Sequence, residues 1–226
     1  MRSNKSADGI IIPFPAPDAV HPQHDELGDL RFRQLLGAAA WHALPAAVRA
    51  RFSKRLSGAK AAVYAGEIIE TRMSRVGWLL AQLVRIIGAP LPVSRDAGVP
   101  AVVTVTEDEK SGGQHWTRQY GRHSKFPQVI HSAKRFAGET GLEEYVGCGI
   151  GMALTVDADE RALYFRSAFY FLSIAGMRIT LPSWLCPGQT TVTHVDLGQG
   201  IFRFKLELIH PRLGELICQS AIFRDA

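Results

Sequence analysis

The sequence predicts an α+β fold in which N-terminal helices pack on a curved, predominantly antiparallel β-sheet, forming a half-barrel or a barrel-like structure. Helical patterns are confined to the part of the chain before Gly88, whereas short strand-like segments with tight turns follow one another after Val99. Consecutive strands without crossover helices form antiparallel sheets. A sheet of many strands curls because its twist accumulates, so an enclosed apolar space is expected.

Composition is typical of a globular domain, with 46% hydrophobic and 21% charged residues in 226. Residues 1–25 are rich in Pro, Ser and Asp and are expected to form a flexible tail, followed by a single α+β domain at residues 26–226. The formal net charge is +5, but the cations are spread along the whole chain. Nucleic-acid binders usually concentrate their positive charge on one face, so nucleic acid is not predicted as a partner.

Three cysteines, Cys148, Cys186 and Cys218, form no C-x-x-C motif. Their odd number and wide spacing suit a reducing compartment, so a cytoplasmic location is expected. No stretch is apolar for long enough to predict a transmembrane segment. The sequence contains no P-loop, H-E-x-x-H, G-x-S-x-G or dinucleotide-binding motif, so no cofactor and no metal are predicted and no catalytic residue is assigned.

The clearest helical pattern covers residues 75–87, where Val76, Leu80, Leu83 and Ile87 recur at helical spacing before Gly88. We expect this helix to cover the sheet, and a lid over an apolar pocket or a helix on a membrane surface are the alternatives. Other helices are predicted at residues 25–36 and after Pro45. Strands are predicted at residues 61–71, 103–106, 115–120, 129–136, 149–156, 162–172, 190–195, 201–209 and 216–223.

The most informative candidate for a binding residue is Arg118, which alternates with Trp116 and Tyr120 so that all three share one face of a strand. On an inner face, Arg118 would be a cation between two aromatic rings. Such a charge needs a carboxylate, such as Glu143 or Glu144, or an anionic ligand. The alternative is an outer face or a purely internal salt bridge.

Two further residues are candidates for the same ligand-binding site. Arg166 has the same sequence parity as Tyr164 and Tyr170, so it is also expected between two aromatic side chains. Trp184 follows Pro182 and is expected to pack a short turn against the edge of the sheet.

Several short motifs occur in an order that resembles a known family: WTRQYG at residues 116–121, LEEYVG at 142–147, GMRITLP at 176–182 and GIFRF at 200–204. They resemble the bacterial family described as domain of unknown function 4166, over nearly the whole chain after about residue 28. The resemblance implies a shared fold and, since the family is sometimes fused to a dehydrogenase-like domain, a dehydrogenase-like partner. The chain departs from the family in its last strand, where Gln219 and Ala221 replace an aromatic residue and a glycine.

Three hypotheses about function follow. The first is a binding module that holds a small hydrophobic or amphipathic molecule, anionic and lipid-like, between sheet and helices. The second is an enzyme that uses the same pocket, with His131, His194 or Asp196 as acid or base. The third is an accessory domain that docks on a reductase-type partner through an exposed apolar patch on the helix at residues 75–87.

Overall fold

The computed structural model describes residues 28–58, 60–175 and 177–225. The tail predicted for residues 1–25 lies outside this part. Eleven strands occupy most of it: β1 (Ala61–Met73), β2 (Val99–Asp108), β3 (Gly113–Tyr120), β4 (Gln128–Arg135), β5 (Glu143–Gly147), β6 (Ile150–Ala158), β7 (Ala162–Ile174), β8 (Met177–Thr180), β9 (Gln189–Gly198), β10 (Ile201–His210) and β11 (Gly214–Asp225).

The strands form a closed antiparallel barrel. β1 to β7 pair with one another in chain order, and so do β9, β10 and β11. The pairings of β7 with β9 and of β1 with β11 join these two runs, so ten strands surround one interior. β8 lies outside this ring and pairs with the C-terminal end of β7. The prediction of an antiparallel, curved sheet is therefore confirmed. The fold is mostly β with a few helices rather than an even α+β mixture, and the sheet is a closed barrel rather than a half-barrel.

Alternation along the strands decides which side chains face the interior. In β10, Phe204, Leu206 and Leu208 line the interior, while Arg203 and Glu207 alternate with them. This is the pattern that the sequence predicted for residues 201–209. Closure pairs the edges of the sheet, which would otherwise expose backbone N–H and C=O groups.

One end of the barrel, which we call the closed end, is next to three short helices: α1 (Arg31–Leu36), α2 (Ala38–Ala43) and α3 (Ala46–Phe52). Phe32 contacts the rings of Phe52 and Phe136 edge-on, with centroids 5.2 and 5.0 Å apart, and lies 6.0 Å from Phe165 of β7. The helix predicted at residues 25–36 begins only at Arg31, because residues 28–30 are not helical; residues 25–27 lie outside the described part. A break at Gly37, with φ of 77°, separates it from α2.

The opposite end, which we call the open end, carries α4 (Arg75–Leu83) and a single 3-10 turn (Val84–Ile87). The helix begins at Ser74, whose Oγ accepts a hydrogen bond from the Gly77 amide at 3.0 Å. It ends at Gly88, with φ of 109°, as the sequence predicted. The last turn of the predicted helix is 3-10 rather than α-helical.

No helix within the described residues is long and apolar enough to cross a membrane.

The contact between α4 and β11 yields a test of how this helix packs against the barrel. A Cβ atom on Gly77 would lie 2.0 Å from the carbonyl oxygen of Leu216, so Gly77→Ala forces the helix away from the strand. We expect a loss of roughly 1–3 kcal/mol in the free energy of unfolding, measured by urea denaturation. Leu79→Ala, at a 54% exposed position of the same helix, is the control and is expected to cost much less. Equal losses in the two variants would contradict the packing.

Candidate functional site

The interior of the barrel contains a cavity of about 640 Å³. Its wall is mostly apolar and includes Val103, Ile130, Leu206 and Phe223 from four different strands. Barrels of eight strands have interiors that side chains nearly fill, so two more strands leave additional space. The volume lies within the range of roughly 300–1,000 Å³ that is usual for sites of small organic ligands.

The mouth of the cavity is at the open end. Val76, Leu80, Val84 and Ile87 form one face of α4 and its 3-10 turn, and they line the cavity from one side. The segment after β8 lines it from the other side, through Leu181, Leu185, Cys186 and Pro187. The helix at residues 75–87 therefore lies over an apolar pocket, which was one of its predicted alternatives.

Trp116, Arg118 and Tyr120 all line this cavity. The question left open by the sequence, whether this face of β3 looks inward or outward, is thereby answered. Burial raises the pKa of the Tyr120 hydroxyl, the Arg118 charge opposing this in part. The Arg118 side chain is 20% exposed, so its guanidinium keeps access to the interior space.

Arg118 belongs to a group of charged and polar side chains in the cavity wall. It donates hydrogen bonds to Ser132 Oγ at 3.1 Å and to Glu144 Oε1 at 3.2 Å. Ser132 Oγ donates to the same oxygen at 2.6 Å, and Lys134 Nζ donates to Glu144 Oε2 at 2.6 Å. Glu144 is thus the carboxylate partner that the sequence suggested, and Glu143, one residue away in the strand, is not.

The protonation of this group follows from its burial. Burial alone would raise the pKa of Glu144, but the charges of Lys134 and Arg118 and the hydrogen bonds outweigh it and hold the pKa at about 2. Burial lowers the pKa of Lys134, while Glu144 opposes that shift. Arg118 and Lys134 thus share one carboxylate, Glu144, in the cavity wall.

Arg166 is not part of this cavity. It lies on the outer surface, where it forms an ion pair with Asp157 and stacks on the ring of Tyr164 with 4.8 Å to the centroid. Tyr170, in contrast, lines the cavity. The register between β6 and β7 shifts between Ser167 and Phe169, and this irregularity reverses the parity that the sequence suggested.

Trp184 is also outside the cavity, in a 3-10 turn (Ser183–Leu185) near its mouth. Its side chain is 80% exposed, so it does not pack against the edge of the sheet as expected. Its neighbours Leu185 and Cys186 are the residues of this turn that face the interior. The sequence thus pointed to the segment that borders the mouth of the cavity, but the Trp184 side chain itself does not line the cavity.

None of the predicted acid–base candidates lines the cavity. His131 lies on the outer face with its Nδ1 3.2 Å from Thr117 Oγ1. Asp196 accepts a hydrogen bond from Arg51 Nη1 at 3.0 Å near the closed end. His194 is fully buried, stacked on Phe202 with ring centroids 4.8 Å apart, and neither ring nitrogen has a hydrogen-bond partner among the described residues.

Sequence reasoning missed Lys134 and Ser132, both of which face the cavity from β4. A signal for them existed, because both residues share the parity of the buried Ile130. The only group of possible metal ligands within the described residues is Glu207, Glu215 and Cys218. Its two carboxylates already pair with Lys205 and Arg72, respectively.

Fold and site together define a closed antiparallel β-barrel with a large apolar cavity and a charged group in its wall. The chain matches the family model described as domain of unknown function (DUF4166) over residues 44–223, and it belongs to that family. Neither a curated protein nor a solved structure gave a significant match.

The buried charges yield a prediction about stability. Glu144→Gln leaves Lys134 and Arg118 without their carboxylate, so we expect a loss of about 3–5 kcal/mol in the free energy of unfolding. Lys134→Met should cost less, because Glu144 keeps its partner Arg118. Asp157→Asn, which removes half of the exposed pair with Arg166, is the surface control, with an expected cost of about 0–1 kcal/mol. Urea denaturation measures all three, and equal costs for Glu144→Gln and Asp157→Asn would contradict the assignment.

The burial of His194 yields a prediction about pH. Burial and, to a lesser extent, the Arg51 charge lower its pKa from 6.5 to about 3. The unfolded chain therefore binds a proton that the folded chain does not, and stability falls as the pH falls below 6.5. This one residue contributes a slope of up to about 1.4 kcal/mol per pH unit.

The variant His194→Leu should lack this slope. The window between pH 6.5 and about 5.5 separates the effect best, since Glu144, whose ordinary pKa is 4.5, contributes mainly below it. Urea denaturation across that window measures the slope. An unchanged slope in the variant would show that His194 is not the group responsible.

Proposed function

We propose that this protein is a binding module that holds a small hydrophobic or amphipathic molecule with an anionic end inside the barrel. The observation that carries the proposal is the combination of an apolar cavity of about 640 Å³ with Arg118, whose guanidinium faces the interior and shares the carboxylate of Glu144 with Lys134. Ligand sites commonly combine a mostly apolar lining with a few polar groups that fix the orientation of the ligand.

The charged group favours a ligand with an acidic end. A long apolar chain would contact the aliphatic and aromatic side chains of the wall, while its anionic group would lie near Arg118 and Lys134. Both side chains share the single carboxylate of Glu144, one at each oxygen. The Tyr120 hydroxyl, which has no hydrogen-bond partner among the described residues, faces the same space and offers a further donor.

Access to the cavity supports reversible binding. The mouth is bordered by α4 and by residues 181–188 rather than by paired strands. β7 pairs with β9 only from Ala162 to Arg166, and beyond that point its edge pairs with the short β8. This seam between β7 and β9 is held instead by side chains: the hydroxyl oxygens of Tyr170 and Thr190 lie 2.7 Å apart. Fewer backbone hydrogen bonds need to break here than elsewhere in the barrel wall.

A pair of matched ligands tests this function. Calorimetric titration compares a long-chain carboxylate with the alcohol of the same chain length. Arg118→Met should weaken binding of the carboxylate by about tenfold or more, since a hydrogen bond to a charged group contributes about 1.5–3 kcal/mol. Binding of the alcohol should change little. Arg166→Met removes an arginine from the outer surface and is expected to affect neither ligand.

A second variant tests the location. Ala221 lines the cavity, so Ala221→Phe reduces its volume and should weaken binding of the carboxylate and the alcohol alike. Absence of binding of both ligands to the unmodified protein, together with no lipid-like molecule by native mass spectrometry of protein purified from cells, would refute the proposed function.

A further inference from the structure

The connections between strands at the open end form a continuous rim around the mouth of the cavity. They comprise residues 74–98, 121–127, 148–149 and 211–213, together with the mouth segment at 181–188. The antiparallel order of the strands places all of them at the same end of the barrel. The rim is therefore a surface that every molecule entering the cavity by this route must cross.

This rim exposes large apolar side chains. Leu79, Leu83 and Ile86 are 54%, 57% and 84% exposed, and they lie beside the row of α4 residues that lines the cavity rather than within it. Phe126 is 93% and Trp184 80% exposed on other parts of the rim. Isolated exposed apolar residues are normal, but their concentration on one surface indicates an interaction site.

The same rim is strongly cationic. Its connections contain Arg75, Arg85, Arg95, Arg122, Lys125 and Arg212 but only one acidic residue, Asp96, which lies 4.0 Å from Arg122. The other five cations form no ion pair with any residue in the described part of the chain. The closed end, by contrast, also carries acidic side chains such as Asp159 and Glu160. Some of its cations are paired, as in Arg51–Asp196 and Lys54–Asp225, while Arg33 and Arg161 form no ion pair within the described part of the chain.

Exposed tryptophan and aliphatic side chains within a ring of unpaired cations are the chemical complement of an anionic lipid bilayer. Aromatic and aliphatic side chains enter the interface between headgroups and acyl chains, and each cation near an anionic leaflet contributes about 1 kcal/mol. An acidic protein could satisfy the cations. A bilayer, however, also matches the position of the patch around the mouth of an apolar cavity.

We propose that the open end of the barrel docks on the surface of an anionic lipid bilayer, through Trp78, Leu83, Ile86, Phe126 and Trp184 and the surrounding cations. Docked in this way, the mouth faces the acyl region, and a lipid-like molecule passes between bilayer and cavity without crossing water. The docking proposal is argued from the rim residues alone, whereas the proposed passage of a ligand also rests on the proposed function.

Vesicle sedimentation with the full chain tests the docking. The protein should sediment with vesicles of phosphatidylcholine and phosphatidylserine, much less with phosphatidylcholine alone, and the binding should weaken as salt is raised. The double variant Arg85→Glu/Lys125→Glu should lose binding by about tenfold or more, since two favourable charges become repulsive. Leu83→Asp/Ile86→Asp should also lose binding, with little change in stability because both positions are exposed.

The matched control, Arg33→Glu/Arg161→Glu, reverses the charge of two exposed arginines near the closed end. It changes the net charge of the protein by the same amount as the rim variant. It should retain most of the binding. If it loses as much as the rim variant, attraction by net charge explains the binding and the docking proposal is overturned.

Quenching of tryptophan fluorescence provides a second test of the docking. Trp41 and Trp116 are already buried, whereas Trp78 is 47% and Trp184 80% exposed. Lipids with brominated acyl chains should quench the exposed pair, and Trp78→Phe/Trp184→Phe should lose most of the quenching, leaving only what a lipid inside the cavity causes at Trp116. Persistence of the full quenching in that variant would overturn the assignment of the rim.

The two proposals fail separately. A protein that binds the long-chain carboxylate in calorimetry but no vesicle of either composition overturns the docking and leaves the proposed function standing. A protein that binds anionic vesicles through the rim but neither the carboxylate nor the alcohol supports the docking and overturns the passage of a ligand.

Discussion

The pairing of β1 with β11 is the constraint on which the rest of the structure depends. It joins the first strand to the last, from Tyr64 opposite Asp225 to Met73 opposite Ile217, and converts a long meander into a closed barrel. Closure gives each of the ten strands of the ring two neighbours within it, and it divides the alternating side chains into an inner and an outer set. The cavity, its charged wall and its mouth exist only because this long-range pairing forms.

The energetic cost of burying ionised groups explains how the charged side chains that face the interior are paired. Ionised groups are expensive to bury unless they are paired, and Glu144 is paired twice, with Lys134 and with Arg118. Such an arrangement contributes little net stability compared with apolar residues of the same size. The buried charged group is therefore consistent with the proposed binding of an anionic ligand.

The two ends of the barrel differ in a way that matches this interpretation. Aromatic side chains of the N-terminal helices pack against the strands at the closed end, as Phe32 does against Phe165. The open end has a short helix, a seam held by side chains and a rim of exposed apolar and cationic residues. One end thus contributes core packing, and the other carries the mouth of the cavity and the rim that we propose as a docking surface.

Local pattern was sufficient for much of this fold. Alternation predicted most strands, the i to i+4 spacing predicted the helix over the cavity, and the parity of Trp116, Arg118 and Tyr120 placed them together on one face. These are short-range properties, because backbone geometry sets the direction of neighbouring side chains. The motif order likewise indicated the family that the chain belongs to.

Tertiary structure alone decided the rest. The irregularity in β7 placed Arg166 outside and Tyr170 inside. Such an irregularity cannot be detected from the alternation of residues in the sequence. Glu144, rather than Glu143, became the partner of Arg118 because the registers of β3, β4 and β5 bring those side chains together. Whether the sheet closes, and how much space it encloses, depends on pairing between residues more than a hundred positions apart. The sequence by itself therefore determined most of the elements, though not β5 or β8. Only the tertiary structure decided which side chains line the cavity, because strand irregularities and closure of the barrel set the inner face.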